Sequence, residues 1–188
     1  MSFRVSAVCE DPTLDQYLVV PLLRSLMAAV GKPHASVTVV TNPKLNGIST
    51  VETNFASIAT RYAAVANLVV FAVDRDAEAG RRAKFDSLRS ALPPSAAAKV
   101  RVLLAVEETE VWSLWGSRSE ISATWAEVRA ERDPKERFFD PLLIPTDATQ
   151  PGRGRGRLIK ASLSAGWASL ASGCPELADL EADVRTMV

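Results

Sequence analysis

The chain has little of the chemistry that most often marks an enzyme. It holds two cysteines and one histidine in 188 residues. Cys9 and Cys174 form no Cys-x-x-Cys pair, so neither a disulfide framework nor a thiolate zinc site is expected. Cys9 sits inside an apolar run and reads as a core residue. His34 stands alone in the loop Gly31-Lys32-Pro33-His34 and offers neither a Ser-His-Asp triad nor a zinc cluster. No Gly-x-x-x-x-Gly-Lys-Ser/Thr segment is present, which excludes ATP hydrolysis on a P-loop; any ATPase would be a partner protein. No apolar stretch reaches the roughly 20 residues that cross a bilayer, so no membrane association is expected. An excess of charge of one sign is also missing: Lys plus Arg and Asp plus Glu balance at 22 each. That argues against a polyelectrolyte binder but leaves room for a local basic patch. Met1-Ser2-Phe3-Arg4 leads straight into a short strand with no signal peptide, and the expected location is the cytoplasm.

What is present is a well-patterned globular chain. Apolar residues make up 47%, and a chain of this length buries roughly 70% of its unfolded surface. Phe3 to Cys9, Ser36 to Val40, Leu68 to Val73 and Lys99 to Val106 read as strands. Between them, helical spacing is expected over Thr13 to Val30, Thr53 to Val65 and Ala77 to Leu92, with Thr13 as a cap and Pro21 as a kink. The βαβαβαβ order implies parallel strands and right-handed crossovers. The expected fold is α/β, a Rossmann-like parallel sheet of about four strands with flanking helices. One domain, 1–188, is expected: an α/β core over 1–110, then a helical elaboration over 111–188 with a mobile Pro/Gly-rich loop at 146–156. In that second half, helices are expected over Glu107 to Trp115, Glu120 to Glu131, Leu158 to Ala171 and Pro175 to Thr186.

The strongest functional signal lies at the strand ends. The oily run Asn67-Leu68-Val69-Val70-Phe71-Ala72-Val73 ends in Asp74-Arg75-Asp76. Continuous apolar runs are buried parallel strands, and open α/β sheets bind ligands just past the carboxyl ends of such strands. The first strand likewise runs into Glu10, Asp11 and Asp15, and the fourth into Glu107, Glu108 and Glu110. Three of four strands therefore bring carboxylates to one edge. Asp74 and Asp76, at i and i+2 of an extended segment, point the same way. Clustered carboxylates without a counter-charge repel and take up protons; an oxygen-only cluster suits Mg²⁺ or Mn²⁺. Glu110 is favoured over its neighbours because it shares a helical face with Glu107.

Taken in order, these features resemble the Toprim fold: a glutamate after the first strand, Asp-x-Asp after the third, and an acid after the next. The likeness is to small, largely uncharacterised Toprim-like proteins found near bacterial phage-defence genes. It rests on Glu10-Asp11-Pro12-Thr13, Val73-Asp74-Arg75-Asp76, Ala105 to Trp112, and Asp133-Pro134-Lys135-Glu136. Asp11, where many relatives carry glycine, and Leu14, where many carry an acid, depart from the pattern. The resemblance implies Mg²⁺-dependent (or Mn²⁺-dependent) phosphodiester cleavage of DNA or RNA, as the effector of a defence system. It implies Glu10, Asp74, Asp76 and Glu110 as metal ligands, Glu10 also as general acid/base, and Lys135 as a positive group near the phosphate.

The segment Pro151 to Lys160 carries Arg153, Arg155, Arg157 and Lys160 with no acid. It reads as a flexible arm on a nucleic-acid backbone, or as a soluble loop. Trp112, Trp115 and Trp125 are core or interface residues before they are base-stacking platforms. The rival readings are a non-catalytic nucleic-acid-binding or ATPase-partner subunit of the same shape, and a phosphatase of another α/β class. Whether the chain forms a homo-oligomer is left open by the sequence.

Overall fold

Leu68–Val73 is buried at every one of its positions, as its unbroken apolar run requires. It is β3, at the centre of the architecture. The computed structural model describes residues 2–188. Its elements begin with β1 (Arg4–Cys9), α1 (Gln16–Ala29), β2 (Ser36–Val39), α2 (Ile48–Ala63), β3, α3 (Arg81–Ser90), α4 (Pro94–Ala97) and β4 (Val100–Leu104). All pairings are parallel and the strand order is β2-β1-β3-β4. The fold is a Rossmann-like α/β fold, as the alternation predicts.

The chain moves outward from β1 to β2, then crosses back over β1 to β3 and β4. Right-handed crossovers in opposite directions must put their helices on opposite faces. Accordingly, α1 packs on one face through Leu18, Leu22 and Leu26, while α2 and α3 cover the other through Phe55, Ile58 and Phe85. Phe55 stacks on Phe71 of β3 with ring centroids 4.2 Å apart. The direction reverses between β1 and β3, and the carboxyl ends of these two strands flank the crevice that such a reversal opens.

The residues after 110 pack against the α/β core. The later helices α5 (Val111–Leu114), α6 (Trp125–Ala130), α7 (Arg155–Leu163), α8 (Trp167–Gly173) and α9 (Pro175–Arg185) follow the sheet. Trp112, Ile159, Trp167, Leu170 and Leu177 share one cluster with α1, β1 and β3. One helix cannot cover a four-stranded face, so the C-terminal half completes that layer. The expected helix from Leu158 to Ala171 is broken in two: α7 stops at Leu163, and Gly166, with φ of 86°, caps the start of α8. Pro21 lies inside α1 without splitting it. Thr13 is not the cap: Asp11 Oδ1 accepts the Thr13 and Leu14 amides at 2.8 and 3.2 Å in the turn before the helix.

The segment 146–156, expected as a mobile loop, is anchored at some positions and exposed at most others. Asp147, Gly152, Gly154 and Arg155 are buried, and a Cβ on Gly152 would collide with the Tyr17 ring. The glycines permit close approach here, with φ of 80° at Gly152 and 84° at Gly154. No helix among the described residues is long and apolar enough to cross a membrane.

Candidate acidic site at the sheet switch point

Glu10 leaves the end of β1 and Asp74 leaves the end of β3, on the two sides of the crevice. The Asp74 amide donates to Glu10 Oε1 at 2.8 Å. The Thr109 amide, past the end of β4, donates to Asp74 Oδ1 at 2.8 Å. Two strand ends and one neighbouring loop are thus joined through carboxylates. Among the described residues, no basic side chain forms an ion pair with Glu10 or Asp74. Burial, first of all, pushes the Glu10 carboxyl up to about 7, the nearby Asp76 charge adds to this, and the Asp74 amide opposes it. Burial also raises Asp74 well above the usual carboxylate range, helped by the charges of Glu110 and Glu10 and opposed by the Thr109 amide.

Asp15, in the turn that opens α1, joins this pair. Its Oδ2 accepts the Asp11 amide at 3.0 Å, and burial pushes it up to about 6. Glu110, at the start of α5, is 3% exposed and pairs with Arg155. Arg155 Nε lies 3.7 Å from Asp15 Oδ1. The acids that meet at the crevice are therefore Glu10, Asp15, Asp74 and Glu110.

Asp76 is held differently from Asp74, though its charge is still felt by Glu10. The strand ends before it, and Asp76 and Ala77 turn into the left-handed region, with φ of 49° and 54°. The alternation rule holds only while the backbone stays extended. Asp76 pairs with Arg81 at 2.7 Å, and Arg81 also holds the Asp74 carbonyl at 3.0 Å and Glu78 at 2.8 Å. The expected ligand pair Asp74/Asp76 is thus divided, one carboxylate inward and one on a guanidinium.

The three glutamates after β4 take three different roles. Glu107, at φ 66°, pairs with Arg75 and accepts the Ala77 amide. Its backbone carbonyl accepts the Arg75 amide at 2.8 Å. Burial alone would raise its pKa, but Arg75 and the Ala77 amide outweigh that and hold it below the usual range. It ties two loops together. Non-glycine residues at positive φ are strained, and Asp76, Ala77 and Glu107 place that strain beside the crevice. Glu110 is spent on Arg155. Glu108 remains, and burial pushes it up to about 7, with Glu110 adding and the Lys135 amide opposing. That amide donates to Glu108 Oε2 at 2.8 Å, from the start of a π-type turn at Lys135–Phe139. Asp15 and Glu108, present among the strand-end acids of the sequence, were not the ones favoured there as ligands. Their signal in the sequence is only their place near the ends of β1 and β4.

Of the basic segment, Arg155 is buried and Arg157 is held by Asp147 at 2.6 Å. Arg153 and Lys160 are exposed. The expected four-residue arm is therefore reduced to two, because Glu110 and Asp147 claim the others. The tryptophans are structural: Trp112 is buried and donates to Glu176 at 2.8 Å, and Trp115 packs edge-on against Trp125 at 5.0 Å.

Among the described residues, no group of three His, Cys, Asp or Glu side chains is arranged to hold a metal ion. Mg²⁺ is commonly held by one or two carboxylates, with water and substrate phosphate completing its six oxygens. The oxygen-only pair Glu10/Asp74, half-buried and without an ion-paired side chain, fits that pattern. The chain matches no protein-family model, no curated protein and no solved structure.

Proposed function

We propose that this chain is a Toprim-like, Mg²⁺-dependent or Mn²⁺-dependent phosphodiesterase acting on nucleic acid, as the effector of a defence system. The observation that carries this reading is the pair Glu10 and Asp74, half-buried and joined to no side chain by an ion pair, on both sides of the crevice where the strand order reverses. Burying uncompensated carboxylates is costly, and a fold that keeps two of them at its ligand-binding edge is one built to receive a cation. Glu10 and Asp74 would hold the ion. When bound, it lowers the pKa of an attacking water and offsets charge on the phosphate.

The chain's own residues supply the rest. Glu108, at about 7, is suited to carry a proton near neutral pH. Lys135 donates its backbone amide to Glu108, and its charge lies close enough to be felt by that carboxyl. Arg153 and Lys160 are free to contact a phosphate backbone, in a salt-sensitive and sequence-independent way. Arg81, with Asp76 and the Asp74 carbonyl, fixes the turn that aims Asp74 inward.

Plasmid DNA and RNA incubated with the protein in Mg²⁺, Mn²⁺ or EDTA test the reading. Metal-dependent cutting that disappears in Asp74→Ala is the expected result. Undiminished cutting by that variant refutes the assignment. Nucleic-acid binding with no turnover under any metal replaces it with a non-catalytic binding subunit.

A further inference from the structure

We propose that Asn46 is a modification site, where the side-chain amide is lost to water, and that the bond from the Gly47 amide to the Glu10 carbonyl sets the pace of that loss. It holds whether or not the acidic site takes a metal. Asparagine is a chemically labile residue, and the residue after it decides how fast it reacts. The backbone nitrogen of that residue attacks the side-chain amide carbon. It must be unhindered and able to give up its hydrogen.

The chain has four asparagines, and the fold separates them. Asn42 precedes Pro43, whose nitrogen carries no hydrogen. Asn54 lies inside α2, donates Nδ2 to the Thr50 carbonyl at 2.8 Å and precedes the buried Phe55. Asn67 accepts the Arg4 amide on Oδ1 at 2.8 Å and precedes the buried Leu68. Asn46 is exposed, and among the described residues its side chain makes no hydrogen bond; only its backbone amide does. Gly47 follows it, and a Cβ there would meet no atom within 4 Å, so the approach to the nitrogen is open.

The fold also supplies a brake. The Gly47 amide donates to the Glu10 carbonyl at 3.1 Å. The Asn46 amide donates to Thr50 Oγ1 at 2.8 Å, and that hydroxyl donates to the Gly47 carbonyl at 2.7 Å. A nitrogen whose hydrogen is held by a carbonyl in a fixed turn is a poor nucleophile, so the reaction proceeds from local openings of this turn. In such an opening the Gly47 nitrogen bonds to Asn46 Cγ, the Cγ–Nδ2 bond breaks, and the amide hydrogen leaves with the nitrogen as ammonia. Water then opens the five-membered imide at either carbonyl and leaves aspartate or isoaspartate. Water is the one co-reactant, and nothing is oxidised or reduced.

Both products put a carboxylate just before α2, whose first turn holds no acid and whose dipole favours one there. Isoaspartate also adds a carbon to the main chain between the Asn46 and Gly47 amides. The two amides then cannot both keep Thr50 and Glu10 in their present geometry, and the turn loosens its hold on Glu10.

The full chain, folded or in guanidinium, is kept in mildly alkaline buffer made with heavy-oxygen water, and peptide mass spectrometry follows each asparagine. In the folded chain, Asn46 should take up the heavy oxygen ahead of Asn42, Asn54 and Asn67, and more slowly than in the unfolded chain by roughly 10-fold or more. Thr50→Val releases the Asn46 amide and the Gly47 carbonyl and should speed the folded reaction roughly 2–10-fold. Asn46→Ser should abolish the acidic species that wild type forms on anion exchange. Another asparagine reacting first, or no reaction at Asn46 in the fold while the unfolded chain converts fully, overturns the site. Equal rates in folded and unfolded wild type, or an unchanged rate in a folded Thr50→Val, overturn the brake. Should Thr50→Val fail to fold, the folded-to-unfolded ratio in wild type decides.

Discussion

Glu10→Gln removes a charge while keeping a hydrogen bond, and so isolates what the buried charge costs. Glutamine can present the same Oε1 to the Asp74 amide, now 2.8 Å away. In the wild-type fold, burial above all moves the Glu10 carboxyl from 4.5 to about 7. The unfolded chain releases this proton near the lower value and the folded chain near the upper one. Between the two, the folded state holds more protons, so stability falls as pH rises through the window. Each unit is worth about 1.4 kcal/mol, which makes the full cost above the window about 3 kcal/mol. Water reaching the half-buried carboxyl reduces it to about 2 kcal/mol. The glutamine carries no such cost. At about pH 7.5 in EDTA, Glu10→Gln should therefore be more stable than wild type by about 2 kcal/mol, or roughly 4–8 °C in Tm for a chain of this size. At about pH 5 the wild-type carboxyl is mostly protonated in the fold and the gap should shrink below about 1 kcal/mol. Urea unfolding and calorimetry at the two pH values read this out. The same replacement should weaken Mn²⁺ binding, so that the fold gains what the site loses. A variant no more stable than wild type at the higher pH, or a gap that does not narrow on acidification, refutes the reasoning.

Elsewhere in the molecule, Arg129→Met should cost about 3–5 kcal/mol, because it strands the buried Glu176 carboxylate that Arg129 holds at 2.6 and 2.7 Å. Adding Glu176→Gln to that variant should recover part of the loss in a double-mutant cycle of urea midpoints, and strict additivity would count against the pair. Cys9 and Cys174 are both fully buried, and burial foremost raises both thiols, Cys174 to about 12. Neither should react with an aromatic disulfide reagent in the native protein, and both should react in denaturant; a fast native thiol would show that one of them is accessible.

Much of the layered fold was legible because it depends on chain neighbours. The run Leu68 to Val73 set the bounds of β3 without error, since a strand buried on both faces must be apolar throughout. Helix ends were less legible. α2 begins at Ile48, five residues ahead of the expected Thr53, because Ser49 and Thr50 look like loop residues until the Thr50 hydroxyl is seen to join Asn46 and Gly47 at the helix start. The anchoring of the segment 146–156 was not legible for a similar reason. Glycine and proline signal irregular backbone, and irregular backbone can still be packed when the glycines let a ring such as Tyr17 come close.

For the candidate site, order along the chain was enough to bring Glu10, Asp74 and the Glu107 to Glu110 cluster to one edge. Parallel strands joined by right-handed crossovers leave no other place for their carboxyl ends. It could not assign the charges. Arg81 claims Asp76, Arg75 claims Glu107, and Arg155, from 45 residues further along, claims Glu110. Periodicity is a property of neighbours and survives in the sequence alone. Ion pairing depends on distance and on lost water, and both are fixed only when remote segments close over the same crevice. The sequence by itself therefore determined the sheet, its direction and its acidic edge. The tertiary structure decided which of those acids, Glu10 and Asp74 at the switch point among them, were left without an ion-paired side chain.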